Sequence, residues 1–148
     1  MKIPHFIVIL LLLLFACNAP VKACDCAFPL LATEIEQTKV IFIGKVVKND
    51  NGIWEIAVSK YWKSPVAKTI RLIDTSWETS CAGEYTKGEA YIFFVSLADE
   101  PTDKTFIRHA CTRTTKLGQL MRYGEKPFTT IEVMVQKKLG KGSSPTKE

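Results

Sequence analysis

The sequence predicts a mainly β protein: a small, closed, five-stranded barrel of the OB type, with short flanking helices and disulfide cross-links. Three observations predict this fold. Five short segments rich in β-branched and aromatic residues follow one another, separated by turn residues. The first segment contains Gly44, and an interior glycine is typical of a strand that bends through both halves of a small barrel. Four cysteines follow the N-terminal leader and can supply the cross-links.

The leader, residues 1–23, is predicted to be a signal peptide. A positive start at Lys2 precedes an apolar run over residues 6–16 that is too short to span a bilayer comfortably. Small residues three and one positions before Cys24 suit signal peptidase cleavage. The stretch Leu14-Phe15-Ala16-Cys17 also resembles a bacterial lipobox, in which Cys17 would be acylated and retained. We expect a secreted, extracellular or periplasmic protein, or alternatively a membrane-anchored lipoprotein.

The first two strands are joined by strong turn residues. Residues 40–47 are apolar and β-branched, and Asn49-Asp50-Asn51-Gly52 follows as a turn. The second strand alternates, with Trp54, Ile56 and Val58 on one face.

The other strands are shorter or more buried. Residues 68–74 place Ile70 and Leu72 inward. Residues 89–97 form a nearly continuous apolar run, which is typical of a central strand. Residues 105–111 form the fifth strand.

Helical signals follow the last strand. Thr114 is placed to cap a short helix over residues 116–123, and residues 128–139 have helical spacing. From Gly140 the chain is basic, and we expect it to be flexible. The predicted parts are a signal peptide (1–23), an OB domain (24–123), and a C-terminal helix with a flexible basic tail (124–148).

Cys24, Cys26, Cys81 and Cys111 are expected to be oxidised after export. A bond between Cys24 and Cys26 is disfavoured, because residues two apart in an extended chain do not easily reach disulfide geometry. Two pairings remain, and both tie the N-terminus to the body of the protein. A zinc site is disfavoured because C-x-C with two isolated cysteines lacks paired ligand knuckles.

Charge disfavours nucleic acid as a partner. The net charge is +5, and loss of residues 1–23 removes two lysines and no acid, which leaves +3. This is a mild positive bias, without the basic stripe of a nucleic-acid-binding domain. A membrane is expected as a partner only if Cys17 is lipidated.

The residue pattern also predicts that the protein is not an enzyme and needs no cofactor. Thr79 and Ser80 lack the glycines of a nucleophile elbow. Asp74 and Glu78 are interpreted as solvated loop acids. His109 is expected to share a strand face with Ile107 and Cys111 and to pack near a disulfide.

Six short motifs, taken in order, resemble a known family. They are Cys24-x-Cys26, Val-Ile-Phe-Ile-Gly-Lys-Val-Val at 40–47, Tyr61-Trp62-Lys63, Thr79-Ser80-Cys81-Ala82-Gly83, Gly88-x-x-Tyr91 and Cys111-Thr112-Arg113-Thr114. Their order resembles the netrin-like module, and more closely the N-terminal domain of the tissue inhibitors of metalloproteinases and their bacterial relatives. The resemblance covers residues 24–123.

This resemblance implies disulfides Cys24–Cys81 and Cys26–Cys111. It also implies that the α-amine and carbonyl oxygen of Cys24 bind the catalytic zinc of a partner protease. The protease-binding residues would be Cys24, Asp25, Cys26, Ala27, Thr79, Ser80 and Cys81. A ligand pair on zinc displaces the water that the metal activates. An α-amine, with a pKa of about 8, has an accessible neutral form.

Asp25 departs from the family pattern, which has a small uncharged residue there. The family's residue enters the specificity pocket of the protease, and burying a carboxylate in an apolar pocket is costly unless it is paired. Asp25 therefore favours a protease with a basic pocket over the ordinary matrix-type enzymes. The alternative function is a non-inhibitory module that binds another extracellular protein, held at the membrane through Cys17.

Overall fold

The five predicted strands form a closed barrel in the computed structural model, which describes residues 26–76, 81–97, 104–121 and 129–145. The strands are β1 (Val40–Asp50), β2 (Ile53–Trp62), β3 (Thr69–Asp74), β4 (Ala90–Leu97) and β5 (Thr105–Arg108). Their hydrogen-bonded order is β1-β2-β3-β5-β4, and β4 returns to β1 to close the barrel. β3 and β5 run parallel, and the other neighbours around the barrel are antiparallel. The predicted OB-type architecture is confirmed.

Gly44 lies where β1 bends from one neighbour to the next. It is paired with Val58 on β2 and with Tyr91 on β4, and the register with β2 shifts between Ile43 and Gly44. A Cβ atom at this position would lie 2.3 Å from Cγ2 of Ile56, so no larger residue fits without movement. The predicted bulge at an interior glycine is confirmed, and its cause is the close approach of β2.

The β1–β2 hairpin turns at Asn51 and Gly52, whose φ angles are 46° and 81°. Both residues are in the left-handed region, as a tight two-residue hairpin turn requires, and asparagine and glycine adopt it most readily. The predicted turn is therefore confirmed.

The core has an inner and an outer layer. The inner layer fills the barrel with Phe42, Ile56, Leu72, Phe93 and Phe106 at its centre. The outer layer is formed by the opposite faces of β1 and β4 together with two helices; it includes Ile35, Ile41, Phe94, Ile131 and Val135. Since β1 and β4 are covered on both faces, their sequences are apolar runs instead of alternating patterns.

Helix α1 (Leu31–Gln37) precedes the barrel and was not predicted from the sequence. It has only seven residues, and Leu30 at its N-terminus offers no side-chain cap. Helix α2 (Ile131–Leu139) confirms the predicted C-terminal helix, and the side chain of Thr130 caps it by accepting a hydrogen bond from the Val133 amide.

The helix predicted over residues 116–123 is wrong as far as that segment is described, through residue 121. Strand β6 (Thr115–Lys116) adds to the edge of β4 instead, where Lys116 pairs with Tyr91. A turn follows at Gly118, whose φ of 80° is left-handed. Strand β7 (Leu120–Met121) then pairs with β8 (Thr129–Thr130). Backbone pairing of residues 115–116 with the free edge of β4 is therefore favoured over the helix that Thr114 was expected to cap.

The first residues of the predicted flexible tail are attached to β2. Ser143 exchanges backbone hydrogen bonds with Tyr61, and the indole Nε1 of Trp62 donates to the Gly140 carbonyl at 2.9 Å. Trp62 therefore links the end of β2 to the end of α2. Over the described ranges, no helix has the length and apolarity needed to cross a membrane.

Candidate functional site

The N-terminal segment is joined to the barrel by the Cys26–Cys111 disulfide, with the two Cα atoms 5.4 Å apart. This bond links residues 85 positions apart and confirms the pairing implied by the family resemblance. It fixes the chain two residues after Cys24. Cys26 is half-buried, whereas Ala27 and Phe28 are exposed.

Arg113 holds the same segment from a second direction. Its Nε and its backbone amide donate to the two carboxylate oxygens of Glu34, both at 2.8 Å. Its Nη2 donates to the Pro29 carbonyl at 2.7 Å, and its guanidinium lies 5.0 Å from the ring centre of Phe28. Glu34 is a buried residue of α1, so this ion pair joins the N-terminal segment, α1 and the segment after Cys111. The bond from the guanidinium is charge-assisted and therefore strong, and a donor on each carboxylate oxygen fixes the orientation of Glu34.

A second buried ion pair lies under the loop that carries Cys81. Asp74, at the end of β3, accepts hydrogen bonds from the amides of Ser76 and Gly83, each at 2.9 Å, and from the Ser76 hydroxyl. Arg108 lies at the end of β5. Its Nη1 donates to Oδ2 of Asp74 at 2.9 Å. The interpretation of Asp74 as a solvated loop acid is wrong, because its side chain has no exposed surface.

Two opposing effects act on the pKa of Asp74. Burial would raise this pKa, but hydrogen bonds from Ser76 and Gly83 and the charge of Arg108 outweigh burial. The net result is a pKa below the ordinary value, so Asp74 is a carboxylate at neutral pH. The fixed charge and its donors hold both ends of the 76–83 loop.

Arg108 also connects the two cysteine regions. Its Nη1 lies 3.5 Å from the Cys81 carbonyl oxygen, and its Nη2 donates to the Ala110 carbonyl at 3.2 Å. Ala110 precedes Cys111, which is bonded to Cys26. One guanidinium therefore contacts the backbone beside Cys111 and the backbone of Cys81. Cys81 is itself disulfide-bonded, and its partner lies outside the described residues.

The structure thus brings together Cys26, Cys81 and Cys111 of the predicted site residues, through Arg108. Cys17, Cys24, Asp25, Thr79 and Ser80 fall in segments that are not described, and their predicted roles remain predictions. His109 is exposed, because β5 ends at Arg108 and places Phe106 and Arg108 inward. The prediction that His109 shares a strand face with Ile107 and Cys111 is therefore wrong, and its packing near a disulfide stays a prediction.

Sequence reasoning missed the two ion pairs that position the cysteines. The signal for Arg108 was weak: it follows Phe106 by two positions, so it faces inward if Phe106 does. For Arg113, the sequence offers only its position in the Cys111-Thr112-Arg113-Thr114 motif, close to a cysteine. Neither acidic partner is identifiable from local sequence, because Asp74 is 34 residues from Arg108 and Glu34 is 79 residues from Arg113.

In the described segments, no group of three or more His, Cys, Asp or Glu side chains is placed to hold a metal ion. The chain matches no protein-family model, and no curated protein matches it. The site is therefore defined by its own geometry: an N-terminal segment and a cysteine-containing loop, each anchored to the same end of β5.

Proposed function

We propose that the protein is an exported inhibitor of zinc metalloendopeptidases, which binds the protease zinc through the α-amine and carbonyl oxygen of Cys24. The single observation that carries this proposal is the double attachment at Arg108. This residue contacts the carbonyl of Cys81 and the segment that is disulfide-bonded to Cys26. A Cys24–Cys81 bond would then place the mature N-terminus beside the 76–83 loop, as the family resemblance implies.

Rigidity of this edge supports inhibition. The segment that starts at Cys26 is fixed by the Cys26–Cys111 bond and by the contacts of Arg113 with Glu34 and Pro29. A terminus ordered before binding loses little conformational entropy when it enters an active-site cleft, and this raises affinity.

The chemistry requires a free amine at residue 24. A neutral α-amine, accessible near neutral pH because its pKa is about 8, donates a lone pair to zinc. Together with the carbonyl oxygen of the same residue it displaces the zinc-bound water, so hydrolysis stops. An amide nitrogen has no such lone pair available. Any residue left before Cys24 would therefore remove the ligand.

Extension of the mature protein by one alanine before Cys24 tests this mechanism. We expect loss of inhibition of a zinc endopeptidase that the authentic protein inhibits, with the melting temperature and the number of free thiols unchanged. The unextended protein, prepared in the same way, is the control. Full inhibition by the extended protein would refute chelation through the amine.

The second candidate function is a binding module without inhibitory activity, and Asp25 is the residue that favours it. A carboxylate beside the metal-binding residue suits few apolar specificity pockets. If the authentic protein inhibits no zinc endopeptidase of either apolar or basic pocket type, the binding-module function is favoured. Acylation of Cys17 would have the same consequence, because Cys24 would then lie inside the chain.

A further inference from the structure

An open cleft of about 330 Å³ lies beside the buried side chain of Arg108. Tyr85, Thr114, Lys116 and Glu84 also line it. Among the described residues of the proposed zinc-binding edge, Cys26, Ala27 and Cys81 do not line the cleft, whereas Arg108 does.

Three hydrogen-bonding groups in the walls of this cleft have no partner among the described residues. They are Nε of Arg108 and the hydroxyls of Tyr85 and Thr114, all three buried. The Arg108 side chain is only 8% exposed, and both of its terminal nitrogens are already engaged, by Asp74 and by Ala110. Because a buried polar group without a partner costs about 1–3 kcal/mol, such groups in folded proteins almost always have one. The three groups indicate an occupant that accepts hydrogen bonds.

The protonation state of these groups determines which chemistry they select. Burial raises the pKa of Tyr85 to about 12, although the nearby Arg108 charge partly opposes it. At neutral pH the Tyr85 hydroxyl therefore keeps its proton and can donate. It lies near the Thr114 hydroxyl, but neither hydroxyl meets a partner at hydrogen-bond geometry within the described segments. Nε of Arg108 and the two hydroxyls can all donate hydrogen bonds. A ligand that presents several lone pairs would therefore satisfy them.

The charges around the cleft disfavour a doubly negative ligand. The positive charge of Arg108 is offset by Asp74, and that of Lys116 by Glu89 at the surface. The lining side chains themselves carry two positive charges, on Arg108 and Lys116, and one negative charge, on the exposed Glu84. Because both cations are already paired, a phosphate dianion would meet more uncompensated repulsion than a carboxylate, and the three donors, not the net charge, favour the carboxylate.

We propose that the cleft is a binding site for a carboxylate, which accepts hydrogen bonds from Nε of Arg108 and from the Tyr85 and Thr114 hydroxyls. The guanidinium nitrogen provides a charge-assisted bond, and the two hydroxyls fix the orientation of the second oxygen. This site goes beyond the proposed protease inhibition and does not depend on it.

Titration of the oxidised, ¹⁵N-labelled protein with acetate, followed by amide chemical shifts, tests the proposal. Acetate should give saturable shifts at the amides of Tyr85 and Thr114 at about millimolar concentration. Acetamide has nearly the same shape but is uncharged and has a donor in place of one acceptor oxygen, so it should bind more weakly than acetate. The absence of saturable shifts with acetate would overturn the proposal, since the cleft would then hold water alone. Tighter binding of inorganic phosphate than of acetate would also overturn it.

Two substitutions remove one hydroxyl each and keep the side-chain shape: Tyr85→Phe and Thr114→Val. Each removes a buried hydroxyl that has no partner within the described part of the chain, so the fold should be retained, and each should weaken acetate binding about 10-fold or more. Tyr61→Phe is the matched control, because Tyr61 is partly buried against the core but does not line the cleft. Acetate affinity that is unchanged in both Tyr85→Phe and Thr114→Val would contradict the site.

The carboxylate has two possible sources, which one further comparison separates. A trialanine peptide with a free C-terminus that binds more tightly than acetate, and whose amidated form does not bind, would identify a polypeptide C-terminus. Equal affinity of the free peptide and acetate would identify a small free carboxylate.

Discussion

The guanidinium of Arg108 lies between the two regions that carry the disulfides and pairs with a fully buried carboxylate. The pair has the features that make a buried ion pair tolerable: a short distance of 2.9 Å and further donors from Ser76 and Gly83 to the same carboxylate. Removing one partner would leave the other charge buried without compensation. At the scale of single residues, the position of the Cys81 loop thus depends on Asp74.

Asp74→Asn should lower the free energy of unfolding by about 3–5 kcal/mol at neutral pH, since it leaves Arg108 buried without its counter-charge. Chemical denaturation measures this change. Asp50→Asn is the control, because the Lys48–Asp50 pair is exposed and 3.8 Å long; it should change stability by less than about 1 kcal/mol. Equal effects of the two substitutions would show that the buried pair does not stabilise the fold.

The same carboxylate predicts a pH dependence. The pKa of Asp74 is lower in the folded protein than in the unfolded chain, where an aspartate has a pKa of about 3.9. Its stabilising contribution is therefore complete above about pH 5 and is lost as the pH falls through the folded-state pKa. Asp74→Asn should show a shallower loss of stability below pH 4 or so than the wild type. Parallel curves for the two proteins would contradict this assignment.

Asp25 sets the expected target preference of the proposed inhibitor. Asp25→Ser removes a carboxylate that an apolar specificity pocket would bury unpaired, so inhibition of proteases with such pockets should strengthen by about 10-fold or more. Inhibition constants against a panel of zinc endopeptidases measure the change. Asp50→Ser, an exposed acid in the β1–β2 hairpin, serves as the control and should change none of them. Weaker inhibition by Asp25→Ser across the whole panel would refute this role of Asp25.

At the scale of elements, Gly44 allows strand β1 to bend so that it pairs with β2 on one side and with β4 on the other. β1 keeps its pairing with β4 across this position while its register with β2 shifts. The space that a side chain would need is occupied by Ile56, Phe42 and the Ala57 carbonyl. The bend therefore depends on the absence of a Cβ atom.

Gly44→Ala should destabilise the protein by about 1–3 kcal/mol or more, because its Cβ would overlap Cγ2 of Ile56. Gly118→Ala is an informative comparison, since it has open space around it but a φ of 80°; its backbone strain should cost about 1–2 kcal/mol. If overlap with Ile56 is the cause, Ile56→Ala should cost less in the Gly44→Ala background than in the wild type. Additive effects of the two substitutions would exclude this cause.

Elements with a strong pattern were predictable, and elements determined by distant partners were not. The alternation of Trp54, Ile56 and Val58 identified β2, because one face of that strand is buried. Helix α1 has no capping side chain and is held by contacts from elsewhere, including the ammonium of Lys63, which donates to the carbonyls of Ile35 and Glu36. Such contacts join residues about 27 positions apart, and no local signal reports them.

At the scale of the whole molecule, the barrel brings the C-terminal ends of β3 and β5 to the same edge of the sheet. β3 and β5 run parallel, so Asp74 and Arg108 lie side by side at their C-terminal ends. The segments that follow, which lead to Cys81 and to Cys111, therefore begin at the same place. The four cysteines that follow the predicted leader were identifiable directly from the sequence. The ion pair beneath them was not, since it requires the parallel register of two strands.

The proposed inhibition requires that the exported protein begin at Cys24, with a free α-amine next to a disulfide to Cys81. Peptide mapping of the unreduced, exported protein by mass spectrometry tests both parts at once. We expect a first residue of Cys24 with an unmodified amine, linked to the peptide that contains Cys81. An acylated Cys17 as first residue, or a Cys81 peptide linked to Cys17, would contradict it.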